Sequence, residues 1–94
     1  MIFPRHFEGA LSRGDFARLL PDVCRGEIAE DAGGFSGRWG GGEWRIGLAP
    51  LPDRVIGHVR LQRMQVSIAF QGCTVLEEAE FMARFSLRFQ RGGG

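Results

Sequence analysis

TVLEEAEFMARFSLRFQRGGG, residues 74–94, is the stretch of the chain on which the fold depends. It begins with Thr74 and Glu77 at the spacing of a capping box, which starts many helices. Read as a helix, it places five apolar residues on one stripe: Val75, Ala79, Met82, Phe85 and Phe89. Acidic residues lie near the start and arginines near the end, as the helix dipole favours. The pattern therefore predicts a helix over about residues 75–90.

A second interpretation of this stretch stays open. It ends the helix near Ala83 and continues as a strand with alternating apolar residues: Phe85, Leu87 and Phe89. Three glycines then close the chain: Gly92, Gly93 and Gly94. Such an ending, over residues 86–93, resembles that of sulfur-carrier and ubiquitin-like proteins. The resemblance implies a carrier whose C-terminal carboxylate is activated by adenylation. The helix accounts for more residues and is preferred, and under it Gly92 ends the helix.

The N-terminal part of the chain carries a second helix-start pattern. Ser12 and Asp15 have the spacing of a cap, and apolar residues follow at helical spacing until Pro21. This pattern predicts a helix over about residues 13–20. Before it, residues 2–7 predict an edge strand or an extended arm, because Pro4 argues against a central strand.

Residues from about 27 to 71 have the character of strands. The segment 43–49 alternates cleanly, and 55–71 is the longest alternating segment. Within it the apolar positions change from odd to even near Gln62 and Arg63, which predicts a bulge or tight bend there.

Two breaks are predicted among these strands. Pro50 and Pro52 indicate a connection, since proline cannot donate to a β-ladder. The glycine-rich residues 33–42 favour a hairpin with short arms on either side of Gly37. Clustered strands without alternating βα units predict an α+β fold, with an antiparallel sheet of three to five strands over residues 27–71 and both helices on one face.

The composition predicts one small globular domain over residues 1–94. Of these residues, 44% are apolar and 24% charged, and a chain of this size has a thin core that dimerisation would extend. The net charge of +1 gives no general attraction to nucleic acid or membranes, so a charged partner would need a local patch. All twelve cationic side chains are arginine, which excludes lysine Schiff-base chemistry and the P-loop.

The cysteines and histidines do not have the spacing of a zinc site. We therefore predict no metal and no cofactor. Cys73 precedes the predicted helix start, where a thiol pKa is often lowered, and is the best candidate nucleophile. Neither His6 nor His58 is marked by the sequence as its base, so we predict that the protein is not an enzyme.

The N-terminal residues contain no apolar run of signal-peptide length, and no window approaches a transmembrane helix. These features predict a cytoplasmic protein that does not contact membranes. Cys24 and Cys73 are then expected to be reduced.

The preferred functional prediction is a protein-interaction or assembly module, most simply a homodimer. The chain has many large apolar residues for one thin core, and those on the C-terminal helix are the predicted interface: Phe81, Met82, Phe85 and Phe89.

The alternative is a nucleic-acid or anion-binding domain. Arginine and aromatic residues interleaved with glycine are typical of segments that stack on bases and bind phosphate. The predicted residues are these: Arg38, Trp39, Arg60 and Arg63. Whether their side chains converge depends on the register of the strands.

Overall fold

The computed structural model describes residues 2–92 of the chain. The strands are β1 (His6–Gly9), β2 (Ile28–Asp31), β3 (Gly34–Trp39), β4 (Gly42–Ile56) and β5 (Val59–Gln71). The helices are α1 (Arg13–Leu19), which continues into a 3₁₀ turn (Leu20–Asp22), and α2 (Val75–Gly92). The predicted α+β class is confirmed.

The five strands form one antiparallel sheet in the order β1-β5-β4-β3-β2. Strands β2 to β5 follow one another as hairpins, while β1 lies beside β5 at the opposite edge from β2. The segment containing α1 therefore joins the two edges of the sheet. An edge strand is present near the N-terminus, but it covers His6–Gly9 and not the predicted residues 2–7.

Both helices begin at the caps that the sequence predicts. The Ser12 side chain accepts from the Asp15 N–H at 3.1 Å, and the Asp15 carboxylate accepts from the Ser12 N–H at 2.8 Å. Thr74 and Glu77 form the same pair of bonds, at 3.1 and 2.8 Å. The long C-terminal helix is confirmed, and the strand interpretation of residues 84–91 is wrong because a good cap and a helical stripe outweigh a short alternation.

The core lies between the helices and one face of the sheet. The strands enter it by alternation, since every second residue of β4 from Trp44 to Leu48 and of β5 from Met64 to Ile68 is buried. α2 contributes Phe81, Met82, Phe85 and Phe89, and α1 with the 3₁₀ turn contributes Phe16, Leu19 and Leu20.

The two prolines do not interrupt β4, contrary to the predicted connection. Leu48 donates its N–H to the Gly33 carbonyl on the β3 side, and N–H groups two residues apart point to the same side of a strand. At Pro50 the missing N–H would therefore point away from β5, so no bond to β5 is lost. Pro52 lies in an irregularity of the strand, where proline is also tolerated.

That irregularity is a bulge, and it lies on β4 rather than on β5. Leu51 pairs with Arg63 and Arg54 pairs with Leu61, so two β4 residues lie opposite Gln62 alone. The sequence located the irregularity at the correct level of the sheet and on the wrong strand.

The glycine-rich hairpin turns at Gly40 and Gly41, so Gly37 lies inside β3 and not at a turn. Its lack of a side chain has a packing reason, because a Cβ there would lie 2.8 Å from the indole nitrogen of Trp44. That ring is fully buried, and its N–H has no hydrogen-bond partner among the described residues.

Candidate functional site

The outer part of the β4–β5 hairpin projects beyond the body of the molecule. Residues 52–62, here called the ribbon, are all exposed. Its turn is Gly57-His58, with Gly57 at φ +61°, as expected for a two-residue hairpin loop that starts with glycine. The pairing of β1 with β5 stops at Met64 and that of β3 with β4 stops at Gly47, so neither edge of the ribbon has a strand partner among the described residues.

Four large aliphatic side chains of the ribbon are exposed to solvent: Val55 (58%), Ile56 (55%), Val59 (56%) and Leu61 (39%). Ile56 lies directly opposite Val59, and Leu61 lies two residues further along β5 on the same face. Three aliphatic groups thus share one face of a two-stranded arm, which is an uncommon surface for a small protein.

The ribbon and its base carry more positive than negative charge. Arg54 has no ion pair or hydrogen bond to any described residue, Arg60 lies 3.8 Å from the Asp53 carboxylate, and Arg63 pairs with Glu8 at 2.5 Å. Asp53 is the single acid in residues 50–63, against three arginines. Two of the predicted anion-binding residues, Arg60 and Arg63, therefore lie here.

The start of α2, residues 74–80, forms a second exposed apolar patch. Val75 and Leu76 are 86% and 77% exposed, and Ala79 beside them is also exposed. Around them lie three acids: Glu77, Glu78 and Glu80. Glu78 is paired with Arg5 at 2.6 Å, so the patch carries both charges, with Glu80 as a carboxylate that has no described partner.

The other two predicted anion-binding residues, Arg38 and Trp39, line a cleft where β3 meets α2. Its cavity has a volume of about 370 Å³ and is lined by Arg25, Arg38, Trp39, Gly40, Glu77, Glu80 and Arg84. The Arg84 guanidinium lies 5.8 Å from the Trp39 ring centroid, and the Trp39 indole N–H donates to the Glu77 carbonyl at 2.8 Å.

The charges of this cleft are only partly free to bind a ligand. Arg25 and Arg38 make no ion pair or hydrogen bond within the described residues, whereas Arg84 donates to the Val23 carbonyl at 2.8 Å. Glu77 and Glu80 face the same space and offset two of the three positive charges. The Glu77 carboxylate accepts from the N–H groups of Thr74 and Gly41, and these bonds lower its pKa and keep it ionised.

The structure does not support a thiol nucleophile. Burial raises the pKa of Cys24 to about 12. The pKa of Cys73 is also raised, first by burial and then by the carboxylates of Glu77 and Glu78, so the expected lowering by the helix start is wrong. The Cys73 thiol donates to the Trp39 carbonyl at 3.3 Å.

The interface predicted on the C-terminal helix needs correction. All four of its side chains lie in the core, with exposures of 4% or less: Phe81, Met82, Phe85 and Phe89. Phe81 packs against Trp39, Trp44 and Phe70, although the helical stripe seemed to leave it on the flank. In the folded chain these four side chains therefore present almost no surface to a partner.

The carrier interpretation requires a strand before the terminal glycines, and the structure has a helix there. Gly92 is the last residue of α2, so a helix and not a strand leads into the glycines. Gly93 and Gly94 lie outside the described residues.

The described residues contain no group of three or more side chains able to hold a metal ion. Within the same part of the chain, no helix is long and apolar enough to cross a membrane. Comparison with known proteins gives no match to a family model, to a curated protein or to a solved structure.

Sequence reasoning missed most of the ribbon and the patch at the start of α2. The signal for the ribbon was present in the odd-numbered apolar residues Val59 and Leu61, whose change of phase was interpreted as a bulge or bend near Gln62 and Arg63. The signal for the second patch was Leu76, an apolar residue outside the predicted stripe of α2.

Proposed function

We propose that this chain is an assembly module that associates with a second copy of itself through the ribbon. The observation that carries this proposal is the exposure of Val55, Ile56, Val59 and Leu61 on one projecting arm. Fully burying such a side chain contributes roughly 1.5–3 kcal/mol. These four side chains are 39–58% exposed, so a partner that covers them would supply about half of that contribution for each.

The backbone of the ribbon supports the same function. Strand edges without partners tend to pair with another chain, and proteins that remain monomeric usually shorten, twist or cover them. Here the ribbon is long, and its edges are left open beyond Gly47 and Met64. A second chain can therefore add both apolar contact and backbone hydrogen bonds.

The test is sedimentation equilibrium of the full chain over a wide concentration range. We expect the native chain to form a dimer and Val59→Glu to remain monomeric, because the variant places a charge in the aliphatic surface. Ile2→Glu is the matched control, since Ile2 is 60% exposed but lies outside the ribbon. A native chain that stays monomeric at high concentration would rule out the proposal.

A second candidate is anion or nucleic-acid binding at the cleft. The observation in its favour is that Arg25 and Arg38, which have no partner among the described residues, line one cavity with Trp39. Phosphate binding by such arginines should weaken steeply with salt.

Fluorescence anisotropy of a labelled oligonucleotide, at about 50 and 200 mM salt, tests this second candidate. We expect Arg38→Glu to abolish salt-sensitive binding. Arg54→Glu, which alters an exposed arginine on the ribbon, should leave it intact. If Arg54→Glu is the variant that loses binding, the phosphate contacts lie on the ribbon and the cleft is excluded.

A further inference from the structure

Building on the proposed self-association, we infer that the ribbon of one copy docks on the α2 start (residues 74–80) of the second copy. The two copies then form a reciprocal dimer in which each contact is made twice. This inference names the partner surface and therefore rests on the proposed function.

The two surfaces lie at opposite ends of the molecule. β5 runs from Val59 beside the ribbon turn to Gln71, and α2 begins only a few residues later. A strand of that length spans roughly 40 Å, and the longest dimension of the molecule is 47 Å. The ribbon and the α2 start are thus too far apart to meet within one chain.

The α2 start carries carboxylates beside its exposed aliphatic side chains, whereas the charged residues of the ribbon are mainly arginines. In the α2 start, the exposed Leu76 lies one helical turn from Glu80, which has no hydrogen bond or ion pair with any described residue. Val75 lies beside Glu78, which is already paired with Arg5 at 2.6 Å. An aliphatic centre with one carboxylate that has no described partner, that of Glu80, is therefore available to a basic aliphatic arm.

Charge also argues against the simplest alternative, in which two ribbons pack on each other. Each ribbon carries Arg54 and Arg60 with Asp53 as its one acid, while Arg63 at the base is already paired with Glu8. Ribbon-on-ribbon packing would bring four guanidinium groups together, and opposed like charges disfavour an interface. Docking on the α2 start instead places Arg54 and Arg60 near carboxylates.

A two-fold arrangement satisfies both contacts at once. When two elongated molecules lie side by side and antiparallel, the ribbon of each reaches the far end of the other. A two-fold axis makes the two contacts identical, so the assembly closes as a dimer. A single head-to-tail contact would instead continue into a chain of molecules.

Two charge-introducing variants test this geometry in the full-length chain. Val59→Glu adds negative charge to the ribbon, and Leu76→Arg adds positive charge to the α2 start. Alone, each variant breaks both contacts of its own dimer, and we expect its dissociation constant to rise by about tenfold or more. Both side chains are exposed, so circular dichroism should show an unchanged fold.

The decisive measurement is native mass spectrometry of the two variants mixed in equal amounts. In a mixed dimer, one contact joins the native ribbon to the native α2 start, and the other joins an introduced carboxylate to an introduced guanidinium. We therefore expect dimers that contain one copy of each variant. Leu87→Arg is the control for Leu76→Arg, because Leu87 is an exposed leucine elsewhere on the same helix, and this variant should dimerise normally.

The outcomes separate this inference from the proposed function. If Val59→Glu is monomeric but Leu76→Arg dimerises like the native chain, the ribbon is the interface and the α2 start is not its partner. Failure of the mixture to dimerise, or equal disruption by Leu87→Arg, would also overturn the inference. A native chain that never dimerises would remove both the proposed function and the inference.

Discussion

Strands β4 and β5 each have an inner half and an outer half. The two halves share the same antiparallel pairing, but the inner half contributes buried side chains and the outer half is exposed to solvent. In the inner half, alternate residues such as Trp44 and Val66 are completely buried. In the outer half, Val55 and Val59 are more than half exposed, although the two strands are still paired beyond the bulge. Strand pairing alone therefore does not bury a side chain.

The length of α2 explains where the boundary lies. The helix has 18 residues and is about 27 Å long. It begins beside the end of β5 and packs back over the sheet. The part of β5 from Gln71 to Met64 spans about 24 Å, so the helix ends close to the level of the last buried residue. Beyond Met64 the strands continue into the ribbon, whose residues 52–62 are all exposed.

The largest difference in stability is expected between truncating an apolar side chain of the core and truncating one of the ribbon. Phe85 is fully buried and packs against Phe3, Phe7, Phe81 and Phe89. We expect Phe85→Ala to lower the free energy of unfolding by about 3–5 kcal/mol. Val59→Ala should lower it by less than about 0.5 kcal/mol when the protein is dilute enough to be monomeric.

Chemical denaturation with circular dichroism measures both values. A loss of stability for Val59→Ala comparable to that for Phe85→Ala would show that the ribbon packs against its own chain.

Glycine-to-alanine substitutions in the body of the sheet and in the ribbon should differ in their cost to stability, but by a smaller amount. Gly34 has φ +147°, and a Cβ there would collide with the Ile46 carbonyl oxygen. Gly57 has φ +61°, but nothing lies within 4 Å of its Cβ position. We expect Gly34→Ala to cost more than about 2 kcal/mol and Gly57→Ala only about 1 kcal/mol, the cost of the left-handed backbone alone.

The melting temperatures of these two variants rank them directly. Equal losses of melting temperature would mean that the positive φ of Gly34, and not its close approach to Ile46 of β4, determines the cost of the substitution.

The cap of α2 should have a moderate effect that depends on pH. Thr74→Ala should cost about 1 kcal/mol, because the Thr74 hydroxyl accepts the Glu77 N–H. The pKa of Glu77 is lowered, first by its bond to the Thr74 backbone, so its stabilising effect is fully present above the unfolded value of about 4.3. That effect is lost as pH falls through the lower folded value.

Glu77→Gln should therefore be less stable than the native chain at neutral pH and equal to it in strong acid. Unfolding curves recorded across this range test the sign. A difference that persists below the folded pKa would contradict the role of the ionised carboxylate.

The helices could be predicted because the signals for them are local. Ser12 with Asp15 and Thr74 with Glu77 are each three residues apart, and the caps they predict are the caps that form. The burial of Phe81 was harder to predict, because it depends on Trp39 and Phe70 on two different strands. Helical periodicity describes a face of the helix, but the neighbouring strands decide which part of that face is covered.

The strands were harder because proline and alternation are ambiguous without the neighbouring strand. Pro50 is compatible with β4 only because its missing N–H would point to the side where β3 has ended. Leu61 lies on the opposite face of β5 from the buried Met64, Val66 and Ile68, because the inserted residue is on β4 and the alternation of β5 is uninterrupted. Where β3 ends and which strand carries the bulge both depend on neighbouring strands, which a local pattern does not contain.

The candidate sites were only partly predictable for the same reason. Arg38 and Trp39 do line one cleft, but Arg25 and Arg84 join them from distant positions in the chain. Arg60 and Arg63 lie on the β4–β5 hairpin instead.

The smallest expected contrast concerns two exposed aspartates, one in each half of the molecule. Asp31 pairs with Arg45 at 3.1 Å and also accepts from the N–H groups of Gly33 and Gly34 in the β2–β3 turn. Among the described residues, Asp53 has only the 3.8 Å pair with Arg60 on the ribbon. Asp31→Ala should measurably lower the melting temperature, because it removes the hydrogen bonds that shape a turn.

Asp53→Ala should leave the melting temperature unchanged within error, since a single exposed ion pair contributes little. It should instead tighten the dimer slightly if the ribbon docks on an acidic surface, because it removes the one acid of the ribbon. Sedimentation equilibrium and thermal denaturation of the same two variants distinguish these effects. A weaker dimer for Asp53→Ala would mean that the surface contacting the ribbon is basic, and so not the α2 start.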